Sequence, residues 1–379
     1  MEDLKDSVVG LYVRQYIMPR ALIFDTPGFV DFRISGKTPI FARQILMPES
    51  FFINIESKLI EKYGDEAKKQ IYSAGKKFGY SFAQLGHFEN IKEHPGDELK
   101  KWVTIASKFV EGTYATQIIN ETDVNNKVVE YNLTNFAVAN KIGYDYFFIP
   151  AGAAGIIAWL FQDFDIEGVL FNSRYDDGVH LCNVTCAPKN FLQKKHNEVF
   201  SETNLGNLEQ NAFQYQSFNK ETPIKYQKSL QTYLNAKIFK YKDGIMSYKN
   251  ERFFLLEVSG MYLFEKEFIN ENIKNLIKEC AKNVGADIFG NFSKNLGEIV
   301  EFLSALGWGE VTISGGKKVK VIIDYFPWTK YYKDIDFLII RGFLEGILQS
   351  VFKKEYSSEK PTIDINRGRL ILLIECNER

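Results

Sequence analysis

Two stretches of this chain carry the same order of elements around a glycine-lined apolar helix, and that repetition restricts it to folds built from two like units. The first stretch runs through an aromatic segment, Tyr144-Asp-Tyr-Phe-Phe-Ile-Pro150, and a helix, Ala151-Gly-Ala-Ala-Gly155-Ile-Ile-Ala-Trp-Leu-Phe161. Two alternating strands follow, Gly168-Val-Leu-Phe-Asn172 and Val179-His-Leu-Cys-Asn-Val-Thr-Cys186, joined at Asp176-Asp177-Gly178. The second stretch repeats this as Asp336-Phe-Leu-Ile-Ile340, Gly342-Phe-Leu-Glu-Gly346-Ile-Leu-Gln-Ser-Val-Phe352 and a closing pair within Thr362 to Cys376. Aligned on Gly155 and Gly346, Gly-Ile-Ile-Ala-Trp-Leu-Phe meets Gly-Ile-Leu-Gln-Ser-Val-Phe, and Cys186 falls opposite Cys376. In both copies the segment before the helix is expected to be a strand. The chain reads as a diverged tandem duplication.

Upstream of these stretches the copies also agree. Val30 to Ile34 and Ile40 to Leu46 flank Ser35-Gly36-Lys37 as a hairpin, and Ile245 to Tyr248 with Phe253 to Val258 flank Lys249-Asn250-Glu251. Helical spacing follows: Phe52, Ile55, Leu59, Ile60 and Tyr63 up to Gly64, then Ala67, Ile71, Ala74, Phe78, Phe82 and Leu85. The second copy offers Phe268 to Ile277, then Ala281, Val284, Ile288, Phe292 and Leu296. Glycines inside the second helix, Gly75 and Gly79 against Gly285 and Gly290, cost roughly 1 kcal/mol each relative to alanine, so close approach of another backbone, or else of a ligand, is expected there. A third helix (Glu98 to Val110; Glu298 to Leu306) precedes a hairpin in each copy, Tyr114 to Ile119 with Val128 to Leu133, and Glu310 to Ser314 with Val319 to Asp324. The predicted fold class is α+β, two diverged copies of a unit in which antiparallel sheet packs on helices. The boundaries are an N-terminal segment 1–20 with a short docking helix, a first domain 21–188, a polar linker 189–236 rich in Asn, Gln, Lys and Ser, and a second domain 237–379.

Composition excludes several classes of function. With 47 Lys+Arg against 48 Asp+Glu the formal net charge is −1, so no global field recruits nucleic acid or an anionic membrane. No apolar run reaches the length of a membrane span, and the acidic start Met1-Glu-Asp lacks the basic region of a signal peptide, which predicts a soluble cytoplasmic protein. Four cysteines in 379 residues do not make a disulfide framework. The 32 Phe and 20 Tyr predict aromatic cores or pockets.

The order of elements, the internal glycines and above all the Gly342-x-x-x-Gly346-Ile347-Leu348 helix, matched by Gly155-Ile156-Ile157, resemble the 4-vinyl-reductase domain family, present here twice. The fold of that family is shared with vesicle-tethering TRAPP subunits. The resemblance implies a small-molecule sensor or interaction domain that commonly dimerises, so that two copies in one chain make a built-in pseudo-dimer. It covers roughly 21–188 and 237–376. The family often carries zinc on cysteines flanking the last hairpin. Here Cys182 occupies the later position, Arg174 stands near the earlier one, and Leu372 stands opposite Cys182 in the second copy.

Read on their own, His180, Cys182 and Cys186 share one face of a strand and are the candidate metal ligands, with zinc as the metal. An extended strand separates the Cα atoms of Cys182 and Cys186 by about 13 Å, whereas two sulfurs on one zinc stand about 4 Å apart, so a bulge would have to bring them together. The alternative is a set of small buried residues on a core strand. Trp102, Trp159, Tyr175, Trp308, Tyr325 and Trp328 are the candidate lining of a pocket for an apolar or aromatic ligand, or else ordinary core. Pro150-Ala-Gly152-Ala-Ala-Gly155 resembles a degenerate dinucleotide turn but lacks the alternating strand and helix context. No Gly-x-Ser-x-Gly, His-Glu-x-x-His or Walker loop is present, and His87, His94 and His196 fall in or near polar loops. The expected function is therefore non-enzymatic, ligand-binding or regulatory, with pockets between the helices and sheet of each copy. An interaction scaffold with a protein partner or homodimer is the alternative, and a reductase of vinyl side chains a third.

Overall fold

A computed structural model describes residues 22–33, 41–86, 88–94, 96–111, 113–196, 203, 205, 227–242, 245–290, 295–315, 318–326, 335–364 and 368–377. The expected helix within 1–20, the Ser35-Gly36-Lys37 turn, most of the 189–236 linker and Trp328 lie outside the described residues.

In chain order the first half supplies β1 (Leu22–Ile23), β2 (Val30–Arg33), β3 (Phe41–Pro48), α1 (Glu49–Tyr63), α2 (Asp65–Leu85), α3 (Asp97–Val110), β4 (Gln117–Asp123), β5 (Val128–Thr134), α4 (Phe148–Phe161), β6 (Ile166–Asp176) and β7 (Val179–Pro188). The second half supplies β8 (Phe239–Lys242), β9 (Ile245–Tyr248), β10 (Glu251–Glu257), α5 (Val258–Glu267), α6 (Glu271–Phe289), α7 (Leu296–Ala305), β11 (Glu310–Gly315), β12 (Lys318–Asp324), α8 (Leu338–Phe352), β13 (Tyr356–Ser358), β14 (Thr362–Asp364) and β15 (Arg369–Cys376). This is an α+β architecture of antiparallel sheets packed on helices. The described strands form three sheets. One lies in the first half (β4-β5-β7-β6), one in the second (β11-β12-β15-β13, with β14 also on β15), and one is shared, in the order β1-β2-β3-β10-β9-β8.

The shared sheet joins the halves. β3 and β10 pair antiparallel at its centre, with Leu46 opposite Leu255 and Ile45 opposite Leu256. Each strand runs straight into a helix, at Pro48 to Glu49 and at Glu257 to Val258. Most buried apolar residues of both halves belong to one cluster, and Val128, Ala187 and Leu192 form a small second one. Phe52 of α1 shows how: its ring stands 5.3 Å from Phe148 of its own half and 5.5 Å from Phe254 of the other.

Glycine spacing sets the next layer. A Cβ on Gly79 of α2 would overlap the Gly152 carbonyl oxygen of α4, and one on Gly155 of α4 would overlap the Lys76 carbonyl of α2. The second half repeats the arrangement, Gly285 of α6 lying on the Phe343 carbonyl and Gly346 of α8 on that of Lys282. The close approach expected from the sequence is helix against helix. Gly290 does not share in it; its nearest neighbours are carbonyls of its own helix.

The segments expected to be strands before these helices are not strands. Gly143–Asp145 is a 3-10 turn, α4 already begins at Phe148, and α8 begins at Leu338. Pro150 falls in the first turn, where its missing N–H would have had no intrahelical partner. The freed N–H groups are taken by buried carboxylates from another helix. Glu56 of α1 accepts from Phe147 N–H at 2.8 Å, and Glu265 of α5 accepts from Leu338 and Ile339 N–H at 2.9 and 3.0 Å. Helix α5 itself departs from the sequence reading, in which Val258 closed a strand and the helix started near Phe268. Val258-Ser-Gly260-Met-Tyr-Leu-Phe264 is buried throughout and has no polar face to reveal its period.

Among the described residues no single helix is long and apolar enough to cross a membrane. The very apolar α4 is a core helix, buried at eleven of its positions.

Candidate ligand-binding cleft

The sequence-predicted residues are dispersed. Trp102 on α3 is 37% exposed beside the His94 ring, and Tyr175 on β6 is 61% exposed, its hydroxyl donating to the Asn140 carbonyl at 2.5 Å. Trp159 packs edge-on to Tyr80 and donates its indole N–H to the Phe88 carbonyl at 2.8 Å. Trp308 is buried in the second half against Phe343, and Tyr325 lies 5.8 Å from Phe29. These five side chains do not surround one chamber.

Nor does the structure gather His180, Cys182 and Cys186. They lie along β7, where Leu181 to Cys186 pair with Thr134 to Val129 in unbroken register. The β6 and β7 pairing does have a bulge, but the extra residue is on β6, between Phe171 and Arg174. It turns Ser173 toward His180, whose Nε2 is 3.0 Å from the Ser173 hydroxyl. Burial pushes the Cys182 thiol up to about 12 and raises Cys186 as well, which opposes the thiolate form that binds metal. Among the described residues no group of three or more His, Cys, Asp or Glu side chains could hold a metal ion.

A cleft of about 390 Å³ opens instead where the halves meet. One wall is the start of α1 (Glu49, Ser50, Ile53) with Asn135, Asn140 and Lys141; the other is β9 and β10 with their turn, including Ser247, Glu251 and Arg252. The turn is tight because Tyr248 pairs directly with Glu251, leaving Lys249 at a φ of 53°. That places two charged residues at the mouth end of a strand whose continuation, Phe253 to Leu256, is core.

Both residues reach across the junction. Glu251 accepts from the Ser50 N–H at 2.8 Å, and burial raises its carboxyl. Arg252 donates to the Asn135 carbonyl at 2.8 Å and the Tyr114 carbonyl at 3.1 Å, and its guanidinium is 3.9 Å from Glu49. Glu49 in turn accepts from the Val138 N–H at 2.6 Å. Two polar atoms at the cleft are buried without a hydrogen-bond partner among the described residues, Asn140 Oδ1 and Arg252 Nε. A small polar group could satisfy such atoms, and their desolvation otherwise costs about 1–3 kcal/mol each.

A second buried polar group lies apart from the cleft. Lys76 Nζ is 2.7 Å from Glu167, whose other oxygen accepts from the Tyr72 hydroxyl at 2.7 Å. Burial raises the Glu167 carboxyl, and the Lys76 ammonium offsets this in part. Both side chains are closed to solvent, which makes this a packing device between α2 and β6.

Sequence reasoning missed Glu49, Asn140, Glu251 and Arg252. One signal was present: an arginine opens the apolar run of both central strands, Arg43 before Ile45-Leu-Met and Arg252 before Phe253-Phe-Leu-Leu. Arg43 does the corresponding work on the other side, donating to the Gly28 carbonyl at 2.6 Å and to the Gly307 carbonyl at 3.1 Å. No family model and no curated protein matches the chain.

Proposed function

We propose that this chain is a non-enzymatic, ligand-binding regulatory protein made of two diverged copies of one α+β unit, with the ligand held where the copies meet. The observation that carries the reading is the cleft itself, walled by α1 and the 135–141 segment from one half and by β9 and β10 from the other. In this reading the ligand site lies at the junction between the copies, in place of the pocket expected inside each. An occupant touching both walls would favour one arrangement of the halves by its difference in affinity for the alternatives. The 4-vinyl-reductase-like character of each copy is part of this proposal; the recurring element order and the matched Gly155 and Gly346 contacts support it. Native mass spectrometry of the purified protein against its denatured mass tests the reading. A retained small mass that is lost from the cleft-filling variant Ser247→Trp is expected; equal retention by both proteins contradicts it.

A scaffold is the second reading, favoured by the exposed Tyr144, Tyr175 and Val179 near the tip of the β6 and β7 hairpin. It predicts a dimer in light scattering that Tyr175→Ser weakens.

A further inference from the structure

Among the described residues the two sides of the shared sheet are not filled alike, and the filled side indicates what the other side takes. Arg43 and Arg252 hold matching places on β3 and β10, and Tyr325 and Asn135 match as the residues in left-handed backbone, φ 57° and 50°, directly after β12 and β5. Beside the first arginine the chain supplies an occupant of its own. The Phe29 ring lies 4.0 Å from the Arg43 guanidinium and 5.8 Å from the Tyr325 ring. It is carried by the 24–29 segment between β1 and β2, pinned by Gly28 N–H to the Ser304 carbonyl at 3.1 Å and Gly309 N–H to the Gly28 carbonyl at 3.0 Å. On the other side β8 and β9 are separated by residues 243–244 alone, too few to carry such a segment. Among the described residues no ring lies over Arg252, and the space beside it and Asn135 is the cleft.

The polar lining adds a charge requirement. The cleft is lined by two carboxylates, Glu49 at 3.9 Å from the Arg252 guanidinium and Glu251 on the Ser50 N–H, and by that single guanidinium, with the exposed Lys141 and Lys249 also on its wall. Asn140 Oδ1 is a buried acceptor with no donor among the described residues. An ammonium group donates three hydrogen bonds and accepts none, which matches Asn140 Oδ1 and the Glu251 carboxylate, whereas the Arg252 Nε donor is not served by it.

Resting on the reading of the cleft as a ligand site, we propose that it takes a small aromatic amine, its ring in the place corresponding to Phe29 and its ammonium between Glu251 and Asn140. A volume of about 390 Å³ suits a single ring with a short aminoalkyl arm.

Isothermal titration of the full chain with tyramine, phenylacetate and butylamine tests this, on wild type, Glu251→Gln and Ser247→Trp. The glutamine keeps an acceptor for the Ser50 N–H, and a matching thermal unfolding midpoint checks that the fold is retained. Tyramine is expected to bind at least about tenfold more tightly than either other probe, to lose about tenfold or more in Glu251→Gln, and to lose all binding in Ser247→Trp. Preference for phenylacetate or butylamine, abolished by Ser247→Trp, would overturn the aromatic-amine assignment while leaving the cleft as a site. Binding that Ser247→Trp does not change, or no binding of any probe, would overturn both.

Discussion

Replacing Glu56 with glutamine should remove a large part of the pH dependence of stability between pH 5 and pH 8. Glu56 has no exposed surface, accepts from the first N–H groups of α4, and leaves Oε1 with no partner. Burial, the dominant cause, pushes its carboxyl from 4.5 up to about 8, against the lowering effect of the Phe147 and Phe148 N–H groups. The native protein therefore keeps a proton that the unfolded chain has released. The stability tied to this group is complete below about pH 4.5, falls by about 1.4 kcal/mol per pH unit above it, and is gone above about pH 8. Integrated from pH 5 to pH 8, the loss is about 3–4 kcal/mol. Glutamine keeps an acceptor for the Phe147 N–H and cannot ionise. The test is urea unfolding of wild type and Glu56→Gln at both pH values. The variant's stability relative to wild type should be about 3–4 kcal/mol more favourable at pH 8 than at pH 5. A change below about 1 kcal/mol, or one of opposite sign, would refute the argument that desolvation outweighs the helix N–H groups here.

Other substitutions follow the same physical reasoning. Glu265→Gln should behave like Glu56→Gln over a narrower range, because Glu265 is raised only to about 7, and its urea midpoints at pH 5 and pH 8 show this. Gly79→Ala drives a Cβ into the Gly152 carbonyl and should cost about 1–3 kcal/mol or more in chemical denaturation. Lys76→Met leaves Glu167 buried without its cation and should cost about 3–5 kcal/mol, whereas Lys76→Met combined with Glu167→Leu should recover most of that loss. Arg252→Lys loses the fork that holds the Asn135 and Tyr114 carbonyls together, and a drop of about 2–4 kcal/mol in unfolding free energy is expected.

What was legible in the sequence was whatever one residue type or one period enforces. Gly75, Gly79 and Gly285 announced close backbone approaches because a Cβ has no room there, whereas the matching contacts of Gly155 and Gly346 were not foreseen. The stripes from Phe52 to Tyr63 and from Ala67 to Phe82 showed α1 and α2 through their period. Where both faces of an element are buried the period disappears. Val258 to Phe264 therefore read as a strand end, and Tyr144 to Pro150 as a strand in place of a 3-10 turn and a helix start. The helix start at Phe148 depends on Glu56, far away in sequence, and no local signal marks that pairing. The cleft was hidden for a similar reason. Glu49, Asn140 and Arg252 come from three separate segments and meet only because β3 pairs with β10 across the two halves. Aromatic content drew attention to Trp102, Tyr175 and Trp308, yet ring content alone does not separate a pocket wall from core or from exposed surface.

The most direct test of the central claim is a crystal structure of the purified protein grown with tyramine. Non-protein density is expected in the cleft, with the amine within hydrogen-bonding distance of Glu251 and Asn140 and the ring beside Arg252. Density at some other place on the molecule, with the walls between α1 and β10 bridged only by solvent, would contradict it.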